Sequence, residues 1–171
     1  NDLLDAINIT TNGALISKYI ADIEKLEKVK NINLSIDSLK AVKFNEITRR
    51  NAFDAVFKTM ELLEKSTLNL KLNVVVQSGI NTDEIKDFVR LTKDRNLAVR
   101  FVEEMPFNGN GQREMNENWT FNKILNEIET EFKVAEIQSE KSATSRNYAI
   151  ENHRGTFGII PAFTRTICND C

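Results

Sequence analysis

A chain of 171 residues with 41% hydrophobic and 28% charged side chains has ordinary globular composition and enough length to bury a real core. Its formal net charge of −2 gives no overall field that would favour nucleic acid, no apolar run approaches the roughly 20 residues of a membrane span, and no signal peptide opens at Asn1. The only cysteines, Cys168 and Cys171, are too close together for a secreted disulfide framework, so a reducing compartment is expected: the cytoplasm, or the mitochondrial matrix in a eukaryote.

In chain order, Ala6 to Thr10 favours a strand and runs into the turn Thr10-Thr11-Asn12-Gly13. Leu15, Ile16, Tyr19, Ile20, Ile23 and Leu26 recur at helical spacing. Ile32 to Ile36 reads as a strand, and Phe53, Val56, Phe57, Met60 and Leu63 mark the next helix. Leu70 to Val76 is the clearest strand, closed by the Ser78-Gly79 turn. Asn81, with Glu84 three residues on, has the pattern of a capping box, and Ile85, Phe88 and Val89 continue the helix that it would open. Leu97 to Val102 is a fourth strand. A long polar loop follows from Pro106 to Trp119, and then a helix from about Thr120 carries Phe121, Ile124, Leu125, Ile128 and Phe132. Gln138 to Asn152 is polar and weakly patterned, and Thr156 to Ile160 is a further candidate strand.

The order β-α-β-α-β-α-β-loop-α predicts an α/β fold with a parallel sheet, either part of a (β/α) barrel or a doubly wound sheet. Chemistry in such sheets gathers at the carboxyl ends of the strands. Thr10, Ser35, Asp37, Arg100, Glu103, Glu104 and Met105 stand there, with Lys71 and Asn73 inside the third strand. A lysine in an apolar strand is costly unless its ammonium reaches an anion or water. Parallel sheets are usually covered on both faces, which points Lys71 toward an anion rather than toward solvent. Asn73 shares its face. Arg100 could clamp a phosphate or carboxylate, or pair with Glu103 or Glu104. Those two glutamates read as a solvated or Arg-paired lip. Arg49-Arg50 reads as a phosphate contact or a surface lead-in to a helix, and His153 as a surface or loop residue. The Cys168-x-x-Cys171 knuckle suits a cluster edge, zinc or a redox dithiol.

Five pieces in this order carry a resemblance. They are Thr10-Thr11-Asn12-Gly13, and Ile32-Asn33-Leu34-Ser35-Ile36-Asp37-Ser38-Leu39 with Lys43-Phe44 and Ile47 to Arg50. Then come Leu70 to Val75 with Gly79-Ile80-Asn81 and Glu84-Ile85, Val99 to Gly109, and Cys168 to Cys171. Across nearly the whole chain they resemble the radical S-adenosylmethionine (SAM) GTP 3′,8-cyclases of molybdenum cofactor biosynthesis. The resemblance implies a partial radical SAM (β/α)₆ barrel over residues 1–135 and the start of a C-terminal cluster-binding region over 136–171. It implies SAM and two [4Fe–4S] clusters as cofactors, GTP as substrate, and a cyclic pyranopterin monophosphate synthase acting downstream. By position, Thr10, Lys71 and Asn73 would contact GTP, Ser35 and Met105 would contact SAM, Arg100 would be catalytic, and Cys168 and Cys171 would hold metal.

The family's N-terminal C-x-x-x-C-x-x-C run and its third C-terminal cysteine do not occur in this sequence. With no Met at position 1, the chain is expected to be an internal piece, inactive by itself. Another radical SAM enzyme of peptide-modifying type, or a non-catalytic nucleotide-binding barrel, remain the alternatives. An open half-barrel would expose strand edges and favour association, and a homodimer is one way to cover them.

Overall fold

The computed structural model describes residues 5–105, 119–138 and 144–162. Its strands are β1 (Ile7–Thr11), β2 (Val29–Ser35), β3 (Asn69–Val76), β4 (Ala98–Glu103), β5 (Val134–Ile137), β6 (Arg146–Ile150) and β7 (Thr156–Ile160). Its helices are α1 (Ile20–Ile23), α2 (Ala41–Thr48), α3 (Phe53–Glu64), α4 (Ile85–Leu91) and α5 (Phe121–Glu129). All the strands join one sheet in the order β1-β2-β3-β4-β7-β6-β5. The steps from β1 through β4 to β7 are parallel, and the last two steps, β7 to β6 and β6 to β5, are antiparallel, so β6 alone runs against the rest.

The alternating pattern explains the packing. Ile32, Leu34, Leu72, Val74, Val99, Phe101, Phe157 and Ile159 are buried and pack in one core with α3 (Val56, Met60, Leu63), α4 (Phe88, Val89) and α5 (Ile124, Ile128). Aromatic rings bridge the layers and the two halves of the sheet. Phe88 meets Phe101 edge-on at 6.4 Å, Phe101 meets Phe157 at 6.5 Å, and Phe157 stacks on Tyr148 at 5.0 Å. The residues between the core positions, such as Asn31, Asn33, Ser35, Lys71, Asn73 and Arg100, are half-buried on the opposite face.

Several expectations change. The sheet is mixed and not wholly parallel, because β6 runs against its neighbours, and among the described residues it is open, with β1 and β5 at its edges. The apolar stripe from Leu15 to Leu26 does not make one helix. It gives a 3-10 turn at Ile16–Lys18 and the single turn of α1, with Leu15 68% and Tyr19 57% exposed. Only Ile20 in it is fully buried, so little packing offsets the cost of nucleating a helix there. The weakly patterned stretch after Gln138 contains β6. The turn after β1 behaves as its sequence suggests: Gly13 takes φ +77°, and its carbonyl accepts the Thr59 hydroxyl of α3 at 2.7 Å.

Candidate functional site: a polar face across the parallel strands

Register arranges the polar face in two rows. In the first, Thr10 pairs with Asn33, Asn33 with Lys71, Lys71 with Ala98, and Ala98 with Thr156. In the second, Ser35 pairs with Asn73, Asn73 with Arg100, and Arg100 with Gly158. The rows are two residues apart along each strand, roughly 7 Å. Five of the six sequence-predicted ligand contacts and catalytic residues therefore share one face. The row of Ser35, Asn73 and Arg100 lies two residues further toward the carboxyl side of the sheet than the row of Thr10 and Lys71, although Thr10 is itself next to last in β1. Met105, the sixth, lies just past β4 and is 43% exposed.

A bond chain ties the rows together. Asn33 Nδ2 donates to Thr10 Oγ1 at 3.2 Å, and Arg100 Nη1 reaches across β3 to Asn33 Oδ1 at 3.5 Å. Lys71 stands beside that reach. Burial holds its ammonium below the ordinary lysine range, and the Arg100 charge adds to the effect. Burial likewise lowers the Arg100 guanidinium. Among the described residues neither cation forms an ion pair with a carboxylate. Asn73 Oδ1 is buried without a hydrogen-bond partner among them. Two neighbouring uncompensated cations and an unmet acceptor make a face suited to an anionic ligand that also brings N–H or O–H donors. An open pocket of about 290 Å³ adjoins the first row at the amino ends of the strands, lined by Asn31, Asn69, Lys71, Asn96, Arg154 and Thr156 among others.

Arg100 takes Asn33, not a glutamate, as its partner. Glu103 is not on a solvated lip. It is buried on the helix side of β4, where its Oε1 accepts the Phe121 N–H at 2.5 Å and so caps α5. Arg49 and Arg50 are exposed in the turn that ends α2, with Arg49 at φ +56°. His153 lies in the β6–β7 connection, where Nδ1 is 2.8 Å from the Thr92 hydroxyl and the ring meets Phe132 edge-on. Cys168, Cys171 and the loop 106–118 lie outside the described residues. Among those described, no group of three or more His, Cys, Asp or Glu could hold a metal ion.

The carboxyl rim of β2 and β3 was missed by the capping-box reading. Asn81 and Glu84 do not cap each other; both are buried and reach back to the rim. Asn81 Nδ2 donates to the carbonyls of Asp37 and Val75, at 2.7 and 2.8 Å, and its Oδ1 accepts the Gln77 N–H at 2.8 Å. Asp37 Oδ1 accepts the Val75 N–H at 2.8 Å, while burial pushes its carboxyl above the usual range. Glu84 accepts from the Ser38 hydroxyl at 2.9 Å, the Leu39 N–H at 2.7 Å and the Lys43 ammonium at 2.9 Å. Asn-x-x-Glu before an apolar run is the signature of a cap, and nothing local distinguishes it from a long-range brace.

Comparison with known proteins bears on this face. The Molybdenum Cofactor Synthesis C family model matches residues 97–171. The molybdenum cofactor biosynthesis protein moc-5 of Caenorhabditis elegans is 40% identical over 96% of this chain and 28% of its own length. A GTP 3′,8-cyclase of Chlorobaculum tepidum is 34% identical over 98% of the chain and 51% of its own length, and the mitochondrial GTP 3′,8-cyclase of Arabidopsis thaliana is 33% identical over 98% and 43%. The chain thus spans about half, or less, of the length of these relatives. The radical SAM superfamily model matches residues 2–92, more than half of the sequence, and the chain belongs to that superfamily.

Proposed function

We propose that this chain is the central part of a GTP 3′,8-cyclase, which converts GTP to (8S)-3′,8-cyclo-7,8-dihydroguanosine 5′-triphosphate in molybdenum cofactor biosynthesis. The observation that carries the reading is that Lys71 and Arg100, neither with a carboxylate partner among the described residues, stand on one polar face beside Thr10 and Asn73. GTP brings phosphates for the cations and hydroxyl and amino donors for the amide acceptors. The relatives named for this activity support the same assignment.

The donor set also fits SAM, a polar ligand carrying carboxylate, ammonium and ribose hydroxyls. Ser35 offers a small hydroxyl and Met105 an exposed thioether at the rim. Bound SAM would supply the 5′-deoxyadenosyl radical characteristic of the superfamily. The chain's own part is placement. Lys71, Thr10 and Asn73 would hold the nucleotide, and Ser35 and Met105 would orient the cofactor. Arg100, which we propose as the catalytic residue, spans the two rows and would keep positive charge beside the reacting ribose. Residues 136–171 begin the cluster-binding region, where Cys168 and Cys171 supply two thiolates toward one of two [4Fe–4S] clusters. The enzyme works in the cytoplasm, as a homodimer, and passes its product to a cyclic pyranopterin monophosphate synthase.

The whole protein, reconstituted anaerobically with iron and sulfide and given SAM and a reductant, is expected to bind GTP, consume it and release 5′-deoxyadenosine. No GTP binding at millimolar ligand removes the reading. Release of 5′-deoxyadenosine with an intact GTP pool would instead favour a different radical SAM reaction.

A further inference from the structure

Glu84 is 0% exposed, and a buried carboxylate is costly unless donors surround it. An apolar side chain of similar volume would fill the same place at lower cost. The side chain gives α4 no cap. Its donors instead come from the segment that follows β2: the Ser38 hydroxyl and the Leu39 N–H in the connection, and the Lys43 ammonium in the first turn of α2. Ser35 ends β2 three residues before Ser38. Between them, Ile36 N–H still bonds Asn73 O at 3.0 Å, and Asp37 is pinned to Val75. The clamp therefore fixes the far end of a segment whose near end carries Ser35.

We propose that Glu84 is a positioning residue for the cofactor, holding the β2–α2 connection so that Ser35 meets SAM at the carboxyl rim. It touches none of the residues on the polar face, so it acts through the connection. The inference rests on the reading of Ser35 as a SAM contact, and it predicts an asymmetry between the two ligands. Lys71 and Thr10 lie one row away from the rim on strands that Glu84 does not bond, and of the GTP contacts only Asn73 shares the row of Ser35, so GTP binding should respond much less than SAM binding does.

The test compares SAM affinity and GTP affinity, measured separately by equilibrium dialysis on the reconstituted whole protein, with thermal melting alongside. Glu84→Gln is expected to weaken SAM binding about tenfold, the factor carried by one charge-assisted bond, and to leave GTP binding within about twofold. Met60→Ala, in the core contact of α3, should lower the melting temperature comparably without moving SAM affinity. Ser38→Ala leaves the carboxylate its Leu39 and Lys43 partners. It should shift SAM binding about threefold, and it decides the matter if Glu84→Gln does not fold. Variants that melt earlier yet bind SAM as the wild type does, or that lose both ligands equally, overturn the proposal. The SAM readout stands whether or not GTP binds, so a wild type that takes SAM and refuses GTP would overturn the substrate reading alone.

Discussion

Along β3, Leu70, Leu72, Val74 and Val76 are buried in the core, whereas Lys71 and Asn73 between them are half-buried on the other face, and Asn73 keeps an acceptor unpaired among the described residues. One strand thus serves two purposes by parity. The even positions bury apolar area, which stabilises the fold at about 25 cal/mol per Å². The odd positions place Lys71 beside the like charge of Arg100 on β4, which costs stability unless a ligand compensates. Stability and binding should accordingly respond to different substitutions, even in adjacent residues.

The sharpest check is on the apolar side. Leu72→Ala is expected to cost about 3 kcal/mol, seen as a lower denaturation midpoint, with GTP affinity of the folded protein unchanged. Glu103→Ala, also on the helix side, should cost about 2 kcal/mol by leaving the Phe121 N–H without its acceptor; amide exchange at the start of α5 would report it. Lys71→Met reverses the pattern. GTP affinity should fall about tenfold while the melting temperature holds or rises, because the repulsion from Arg100 is gone. If Lys71→Met melted the protein as badly as Leu72→Ala, the division between the faces would be broken.

The smallest effect belongs to acid. Lys40 and Lys43 hold Asp83 at about 2, below its ordinary 3.8. A depressed carboxyl contributes stability above the unfolded value and loses it as pH falls from about 3.8 through about 2. The group is largely exposed, so the loss should be under about 1 kcal/mol and should shrink with salt. Asp83→Asn should flatten that part of the stability–pH curve.

Most of the polar face was legible in the sequence because strand alternation alone assigns Lys71 and Asn73 to one side, and Ser35 and Arg100 fall into register with them. β7 was legible for the same reason, and its five residues match the expectation from Thr156 to Ile160. β5 was not: three of its four residues are exposed, so an edge strand leaves no hydrophobic period to read. The clamp of Glu84 on Ser38 joins residues 46 apart in sequence, and its local pattern mimics a helix cap. The Leu15 to Leu26 stripe failed in the opposite sense, since its period was right but the surface available to it was small.

The parallel ladder from β1 to β4 is extended by β7, a strand made from residues more than fifty positions later. On the ribosome, β4 would therefore wait with an unpaired edge while its neighbour was still being synthesised, and Phe101 would lack Phe157 until then. That interval is when the nascent chain is most exposed to mispairing with another copy, and when a chaperone would have most to protect.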